Sequence, residues 1–481
     1  MKIYSDINIH GSMNKEWNRN FYRFLKTDIM IFKKKNISSL HLPHNKNTAE
    51  CVPVKINAPK EVLLPMDMHS GHVAEPIVSV GDYVKVGQLI AREEGRFSSP
   101  VHATVSGKVV AIEPILRASG KEVLVIRIEN DGKMEVSPEV KAPTYSTPEE
   151  FLQAVRESGC VGLGGAAFPT WAKLNEMTND QYKVDTVLVN AAECEPYITS
   201  DHRMMVDHTD LVVSGIEHLR NGMFKYLENA TFKICIEKNK PDAIEALKAA
   251  CAGKDYIEIV ELKAIYPQGA KQVMLYNATG RVSIAGKRFP SFGAIIINVS
   301  SLAKVAEYLN TGMPLVERIV TVDGPAVANP MNLIAPIGTR ISHLLTHTGL
   351  KAEPGKVVVG GPMNGNAVCS ADDPIVKVSN SILVFDAKTA CLPDPSVCIH
   401  CGRCMDKCPI NINVPGVELA MKAKDDETKE KLLIATGVRQ CVDCGCCSYV
   451  CPANRHLLAT NQDAKWWLKQ YANSKKEGGN R

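Results

Sequence analysis

The stretch "FKICIEKNKPDAIEALKAACAGKDYIEIVEL" (residues 232–262) places a helical segment between two short apolar segments. "FKICIE" and "YIEIVEL" have the length and apolar character of buried strands, whereas "PDAIEALKAACAG" between them has the spacing of a helix. Strand–helix–strand order is typical of an α/β layer with a largely parallel sheet. We therefore predict an α/β domain around this stretch, over residues 145–313.

The chain before this domain reads as short strands broken by glycines. In "EPIVSVGDYVKVGQLIA" the valines alternate around Gly81 and Asp82, which is the pattern of a hairpin. With "SSPVHATVSGKVVAIEP" it resembles the biotinyl/lipoyl barrel-sandwich family. That family carries a modifiable lysine on a hairpin, but "REEGRFSSPVHA" occupies this place here and contains no lysine. We expect the barrel-sandwich fold over residues 37–142, without the carrier function.

The remaining segments complete a multidomain α/β protein. "KAPTYSTPEE" is a linker in which Thr147, Pro148 and Glu150 predict the start of a helix with a capping box. "SSLAKVAEYLNTG" predicts a helix that ends at Gly312. We further predict a β-grasp-like (SLBB) module over residues 314–386, a helical ferredoxin-like domain over 387–470 and a solvated tail over 471–481.

Composition restricts the class of protein. A chain of 481 residues is too long for one core, and no apolar run reaches the length of a membrane span. The sequence has 16 cysteines and shows no secretory signal, which favours a reducing, cytoplasmic location and the use of cysteine for metal binding or redox chemistry. Residues 1–36 carry eight Lys or Arg against three acidic residues, so the rest is nearly neutral and nothing suggests nucleic-acid binding. This basic extension either touches an anionic membrane, is a frayed terminus, or precedes a true start at Met30.

Two cysteine motifs near the end of the chain share one spacing. "CIHCGRCMDKCP" begins at Cys398 and "CVDCGCCSYVCP" at Cys441, and each follows C-x2-C-x2-C-x3-C-P. This spacing is typical of two [4Fe–4S] clusters, with the fourth cysteine of each motif reaching the other cluster. The alternative is a pair of zinc sites, although these usually use C-x2-C pairs. The predicted sets are Cys398, Cys401, Cys404 and Cys451, and Cys441, Cys444, Cys447 and Cys408.

Three residues near these motifs have predicted packing roles. Cys446 is surplus to the spacing and should pack beside the loop. Trp466 and Trp467 should cover the cysteine domain with apolar surface.

A glycine-rich stretch, "GLGGAAFPTWAK" (residues 162–173), is a candidate anion site. It follows a helix instead of a strand, so it fails the test for a dinucleotide-binding fingerprint. The backbone N–H groups of Gly162, Gly164 and Gly165 can nevertheless approach a phosphate without a Cβ clash, and Lys173 follows within reach. A plain tight turn is the alternative.

The stretch "NAAECEPY" follows the predicted strand "VDTVLVN". Asn190, Glu193 and Glu195 therefore lie at the carboxyl edge of a sheet, where they suit the polar edge of a ring or ribose hydroxyls. Taken alone, two glutamates there are as well explained by solvation.

The order of these motifs resembles the flavin-bearing, NADH-binding subunit of respiratory complex I. That resemblance implies FMN-phosphate binding by the glycine loop and Lys173, a flavin contact for Asn190, and catalytic positions at flavin and nicotinamide for Glu193 and Glu195. Leu163 and Ala192 depart from the pattern, where that subunit has an arginine and an aspartate.

A closer resemblance, over about residues 40–465, is to the RnfC family, the C subunits of Rnf-type ferredoxin:NAD+ oxidoreductase complexes. It rests on "LHLPHNK", "SSPVHATVSGKV", "GLGGAAFPT", "NAAECEPYIT", "YPQG", "VVGGPMNG" and the doubled cysteine motif. It implies an NADH-linked flavo-iron–sulfur oxidoreductase with two [4Fe–4S] clusters, FMN and NAD(H). It further implies ion-transporting membrane subunits as partners, ferredoxin reached directly or through a partner, and a peripheral location on the cytoplasmic side of the membrane. The "SSLHLP" opening and the missing acid in Gly269–Gln272 depart from that family.

Two other functions fit the same motifs. One is a soluble paralogue that delivers NADH electrons to a dedicated reductase, such as an amino-acid or cobalamin reductase. The other is an electron relay whose flavin site is vestigial. The sequence does not set the direction of electron flow.

Overall fold

The computed structural model describes residues 37–117, 120–284 and 286–478. The basic extension over residues 1–36, including the alternative start at Met30, lies outside the described residues, as do residues 479–481. Within these bounds the chain forms two small antiparallel sheets, a parallel sheet with helices, a mixed sheet and a helical region rich in cysteine.

The first region is all-β. β2, β8, β7 and β4 form one sheet, and β3, β5 and β6 form the other, while β1 pairs with a much later strand. Gly107 begins β7 with φ 151°, and a Cβ there would lie 1.8 Å from the Glu129 carbonyl oxygen, so only glycine allows β7 to approach β8. The strands are β1 (Val54–Lys55), β2 (Glu61–Pro65), β3 (Glu75–Pro76), β4 (Tyr83–Val84), β5 (Leu89–Arg92), β6 (Val101–His102), β7 (Gly107–Leu116) and β8 (Glu122–Asn130).

The α/β region follows. The capping box predicted at Thr147 is confirmed, since the Thr147 side chain accepts from Glu150 N–H and the Glu150 side chain returns to the Thr147 backbone. Two short 3-10 helices lie at Glu176–Thr178 and Phe289–Phe292. The strands are β9 (Thr186–Ala191), β10 (Thr231–Glu237), β11 (Ile257–Leu262) and β12 (Ala294–Asn298). The helices are α1 (Pro148–Glu157), α2 (Thr170–Asn175), α3 (Ser200–Asp207), α4 (Thr209–Gly222), α5 (Phe224–Leu227), α6 (Pro241–Ala250), α7 (Lys271–Thr279) and α8 (Val299–Thr311).

The parallel sheet has a point where the strand order reverses. Its order is β11-β10-β9-β12, so the chain leaves β9 toward one side and returns through β12 on the other. Asn190 of β9 and Asn298 of β12 are register partners at the carboxyl ends of these two strands. In open α/β sheets this is where ligands bind.

The predicted end of α8 at Gly312 is also confirmed, with φ 80°.

The mixed sheet has six strands in the order β1-β14-β13-β17-β15-β16. Its edge strand β1 is formed by Val54 and Lys55, which pair with β14. The strands that follow β1 along the chain belong instead to the two antiparallel sheets. The elements are β13 (Glu317–Asp323), β14 (Met331–Pro336), α9 (Ile341–Thr348), β15 (Pro354–Val359), β16 (Asn366–Ala367) and β17 (Ser381–Asp386).

The last region is helical. Its core includes Cys408, Val417, Leu433 and Leu468. The elements are α10 (Ala387–Ala390), α11 (Arg403–Asp406), α12 (Val414–Met421), α13 (Asp426–Thr436), a 3-10 helix (Val438–Gln440), α14 (Cys446–Tyr449) and α15 (Leu457–Gly478).

Two expectations for this last region need correction. Trp466 is 63% exposed and covers nothing, because it lies on the outer face of α15, whereas Trp467 packs against the core. The predicted tail is helical as far as Gly478, since α15 continues through it and Lys475 pairs with Glu430 of α13 at 2.6 Å.

A buried lysine joins three of these regions. Lys377, 1% exposed, donates to the carbonyl oxygens of Pro100 at 2.7 Å and Gly159 at 2.8 Å, and to the Ser99 hydroxyl. Burial lowers the pKa of Lys377 to about 7. Because Gly159 lies three residues before Gly162, this contact fixes the chain that enters the glycine loop.

Candidate functional site

The glycine loop (residues 162–168) lies over the carboxyl end of the parallel sheet. The Gly162 N–H donates to the Phe168 carbonyl at 2.8 Å, which closes the loop. The Leu163 N–H donates to Ser301 Oγ at 2.8 Å, which ties the loop to the first turn of α8. Gly165 has φ 107° and no neighbour where its Cβ would be, so the tip of the loop leaves its backbone open to a ligand.

Two asparagines lie below this loop. A Cβ on Gly164 would lie 3.4 Å from Asn298 Nδ2, so a larger residue would fill the gap between loop and strand end. Asn298 Nδ2 donates to Asp201 at 2.7 Å, and Asn190 Nδ2 donates to the Gly269 carbonyl at 3.0 Å. Each amide carries two N–H donors and uses one of them among the described residues, which leaves the other for a ligand. Sequence reasoning missed Asn298, although the apolar run "AIIIN" that it ends is a strand signal.

Positive charge collects beside the glycine loop. Lys173 Nζ lies 3.9 Å from the position of a Gly162 Cβ. Burial, then the nearby Lys271 ammonium, lower the pKa of Lys173 to about 7, and burial lowers that of Lys271 too. Among the described residues neither lysine has a hydrogen-bond or ion-pair partner, and the neighbouring Glu176 carboxylate is held by Arg288. The site therefore has surplus positive charge.

These groups fit FMN. A phosphate needs open backbone N–H groups and cations, which the glycine loop, Lys173 and Lys271 supply. The polar edge of the flavin ring needs hydrogen-bond donors, which the free N–H groups of Asn190 and Asn298 supply at the strand ends.

Glu193 belongs to the glutamate loop (residues 192–199), which leads from β9 into α3. Its oxygens accept from the backbone N–H groups of Asp201 at 2.6 Å and His202 at 3.1 Å, so the carboxyl caps the start of α3. Burial nevertheless raises the pKa of Glu193 to about 7, against the opposing effect of the Lys46 ammonium. The carboxyl is therefore poised to change charge near neutral pH.

Glu195 faces away from α3. Its Oε1 accepts from the Tyr266 hydroxyl at 2.8 Å, and its Oε2 accepts from the Met363 N–H at 3.1 Å. A Cβ on Gly361 would lie 2.1 Å from Oε2, so this glycine is required for the contact. Burial raises the pKa of Glu195. Both predicted catalytic carboxyls are thus already hydrogen-bonded within the protein.

The eight cysteines of the two motifs line two separate cavities. The first cysteine set surrounds a cavity of about 350 Å³ that opens to solvent beside the exposed Ile399. The second cysteine set lines a smaller, more enclosed cavity. Among the described residues no three His, Cys, Asp or Glu side chains converge closely enough to hold a single metal ion. The first set is Cys398, Cys401, Cys404 and Cys451; the second is Cys408, Cys441, Cys444 and Cys447.

The second set adjoins the glutamate loop. Tyr266 and Met363, which hold Glu195, pack in one apolar cluster with Cys444 and the fully buried Cys446. A Cβ on Gly445 would lie 2.6 Å from the Met363 carbonyl oxygen, so the cysteine loop and the Met363 backbone are in close contact. The second set therefore lies toward the glutamate loop and the first toward solvent. Cys446 packs beside the loop as expected.

Within the part of the chain that the structure describes, every helix is too short or too polar to cross a bilayer.

Three domain families match the chain. They are the RnfC barrel sandwich hybrid domain over residues 36–133, the Nuo51 FMN-binding domain over 155–307 and the 4Fe-4S dicluster domain over 391–452. These matches confirm a barrel-sandwich domain, an FMN-binding domain and an iron–sulfur domain, in the order that the motifs predict.

Relatives that match most of the chain point to the same family as the RnfC domain match. The C subunit of the Na(+)-translocating ferredoxin:NAD(+) oxidoreductase complex of Acetobacterium woodii is 39% identical over 78% of this chain and 84% of its own length. Its proton-translocating counterpart from Clostridium ljungdahlii is 36% identical over 82% of this chain and 86% of its own. The C subunit of the ion-translocating oxidoreductase complex of Yersinia pestis is 37% identical over 78% of this chain, which spans 60% of that longer protein. The chain belongs to the RnfC family, the C subunits of ion-translocating ferredoxin:NAD(+) oxidoreductase complexes.

Proposed function

We propose that this chain is the electron-transfer subunit of an Rnf-type complex, in which electrons pass between ferredoxin, iron–sulfur clusters, FMN and NAD(H). The observation that carries the proposal is the position of the glutamate loop. It follows the end of β9, where Asn190 lies near the glycine loop, and its Glu195 is hydrogen-bonded to Tyr266 and Met363, which pack against the second cysteine set. A flavin site and a cluster site thus share one short loop.

The flavin site has a division of roles. Gly162, Gly164, Gly165 and Lys173 would hold the FMN phosphate, and Asn190 would contact the ring. When bound, FMN supplies hydride exchange with NAD(H) and one-electron exchange with iron–sulfur centres.

The two glutamates would act at the reacting end of the site. Glu193 stands at the start of α3 with a pKa of about 7, which suits a group that gives or takes a proton near neutral pH. Glu195, fixed by Tyr266 and Met363, would set the shape of the loop where nicotinamide approaches.

The two cysteine sets would each bind one [4Fe–4S] cluster. Four thiols around a cavity of about 350 Å³ suit a cluster better than a single ion, because four zinc ligands would converge on one point. Each set takes its fourth cysteine from the other motif, as is usual where two such motifs bind two clusters.

The proposed setting is peripheral. We expect the chain to dock from the cytoplasmic side onto the membrane subunits of its complex, which would carry the ion transport, and to reach ferredoxin directly or through a partner. Residues 314–386, whose mixed sheet packs with α9, would form an SLBB β-grasp-like module.

The test is an anaerobic NADH titration of the chain reconstituted with iron, sulfide and FMN. NADH should bleach both the flavin band and the broad cluster absorbance, with about eight irons per chain. The variant Lys173→Met should lose the flavin and the response to NADH while its clusters still reduce with dithionite, and the exposed-lysine control Lys183→Met should behave as wild type. Clusters without bound FMN and without a response to NADH in the wild-type chain would instead indicate a relay with a vestigial flavin site.

A further inference from the structure

A segment of the chain from outside the α/β region crosses this site. The crossing segment (residues 40–51) pairs with the "YPQG" turn, since Leu40 and Tyr266 exchange two backbone hydrogen bonds of 2.8 Å. The His44 carbonyl accepts from the Tyr197 N–H at 2.9 Å, and the Ala49 carbonyl accepts from Arg203 of α3 at 3.1 Å. The segment is thus attached on both sides of the glutamate loop.

The Lys46 side chain reaches from this segment to the backbone of the glutamate loop. Its ammonium donates to the carbonyl oxygens of Glu193 at 2.9 Å, Glu195 at 2.9 Å and Ile198 at 2.5 Å. An ammonium has three N–H donors, and all three are used on one loop. Among the described residues no carboxylate oxygen accepts from this ammonium, so the contacts of Lys46 depend on the conformation of the loop backbone.

That backbone shape is unfavourable without support. Glu193 has φ 47° and Tyr197 has φ 70°, in the left-handed region that costs non-glycine residues of order 1–3 kcal/mol each. These conformations accompany a turn of the loop that directs the Glu193, Glu195 and Ile198 carbonyls toward Lys46. Lys240, 1% exposed, holds the preceding one, the Ala192 carbonyl, at 2.7 Å. Two lysines from distant parts of the chain therefore hold four carbonyls of one loop.

We propose that Lys46 is a positioning residue for the exchange of electrons with NAD(H): by binding three carbonyls of the glutamate loop it fixes where Glu193 and Glu195 stand. The inference rests on the proposed function for the meaning of those carboxyls, and on the hydrogen bonds alone for the positioning. Lys46 itself need touch neither flavin nor nicotinamide.

The charges around Lys46 agree with this role. Burial lowers its pKa to about 8, and the Glu193 carboxylate opposes that shift. The other charged or titratable groups that face it are Lys240, Glu237 and Cys194, with His44 on its own segment and Glu195 on the loop. The ammonium form, which has the three donors, is thus present at neutral pH.

The test compares Lys46→Met, which keeps the aliphatic stem, with Lys46→Ala, Lys46→Arg and the exposed-lysine control Lys60→Met. We expect Lys46→Met to lower kcat for NADH:ferricyanide reduction 10- to 100-fold while the FMN Kd and iron content change less than twofold. Ethylammonium should restore at least a tenth of the lost rate to Lys46→Ala, and Lys46→Arg should retain part of it. Rates within threefold of wild type for Lys46→Met would overturn the proposal.

Amide hydrogen exchange separates this inference from the proposed function. Peptides that contain residues 193–203 should exchange at least tenfold faster in Lys46→Met and at the wild-type rate in Lys60→Met, whether or not the chain oxidises NADH. Unchanged exchange there would overturn the positioning role. If Lys46→Met does not fold, Lys46→Arg carries both measurements, and wild-type values in both would likewise overturn it.

Discussion

The hydroxyl of Tyr266 donates a 2.8 Å hydrogen bond to Glu195 Oε1, while the ring of Tyr266 packs against the buried Cys446 beside the second cysteine set. Burial, with the Glu195 charge next, raises the pKa of Tyr266 well above its usual value, so the phenol stays a donor. The same residue pairs through its backbone with Leu40. One residue therefore links the crossing segment, through its backbone, with the glutamate loop and the iron–sulfur domain, through its side chain.

Replacing Tyr266 with Phe should leave Glu195 Oε1 without its donor. A buried acceptor that loses its partner costs roughly 1–3 kcal/mol of stability, and the carboxylate form of Glu195 loses support. We expect lower thermal stability and NADH:ferricyanide turnover reduced about tenfold, with iron content unchanged. Differential scanning calorimetry and steady-state kinetics measure both. Tyr83→Phe, at an exposed hydroxyl in the all-β region, is the matched control, and equal behaviour of the two variants would contradict the link.

The affinity for FMN should depend on pH. Lys173 has a pKa of about 7 without an anion, and a phosphate beside it raises that value, so binding takes up a proton above pH 7. The contribution of the Lys173 ammonium to FMN binding is fully present below about pH 7. It is lost as pH rises, and the affinity for FMN falls by up to about tenfold per pH unit. Because phosphate becomes a dianion above about pH 6, affinity should peak between these values. Fluorescence titration of FMN from pH 5.5 to 9 measures it, and an affinity that stays constant above pH 7 would contradict the prediction.

Lys271 should contribute to phosphate binding. Its ammonium has no partner among the described residues and lies near enough to Lys173 to lower the pKa of that lysine. Lys271→Gln should weaken FMN binding about tenfold, or about 1.4 kcal/mol, because one charge-assisted contact is lost. Riboflavin, which has no phosphate, should bind both proteins equally. The exposed Lys287→Gln is the control, and an equal loss for riboflavin would show that the variant disturbs the ring site instead.

The crossed cysteine sets can be separated by variants. A chain with Cys398→Ala and Cys401→Ala should retain one cluster, held by the second set, with about four irons and a single EPR signal on reduction. Adding Cys451→Ser should change nothing further, whereas adding Cys408→Ser should remove the remaining signal. Uncrossed motifs would give the reverse result. Cys446→Ala should leave the iron content of the wild-type chain unaltered.

Local patterns predicted much of this structure. The capping box at Thr147 and the end of α8 at Gly312 involve residues a few positions apart, and both are confirmed. Of the three domain types that the family matches confirm, the iron–sulfur domain was predicted from cysteine spacing, whereas the barrel-sandwich and FMN-binding domains were predicted from resemblance to known families.

The contacts that complete the site join distant parts of the chain. Met363 N–H reaches Glu195, and Lys46 reaches the same loop from its other side. No period or motif encodes a meeting of residues more than a hundred positions apart. The prediction for Trp466 was wrong for another reason. Helical spacing in α15 buries its neighbour Trp467, and the sequence alone did not show which tryptophan faces inward.

The exchange of fourth cysteines between the motifs has a consequence for biosynthesis. Cys451 completes the first set, and the second set needs three thiols from Cys441 onward together with Cys408. While the ribosome has made only the first motif, the first set has three of its four thiols and lacks Cys451, and Cys408 waits for partners not yet translated. Neither set is whole until the chain is nearly finished, so if each set binds a cluster as proposed, cluster insertion has to follow synthesis of both motifs. A product truncated between the two motifs would leave the ribosome with no complete binding site.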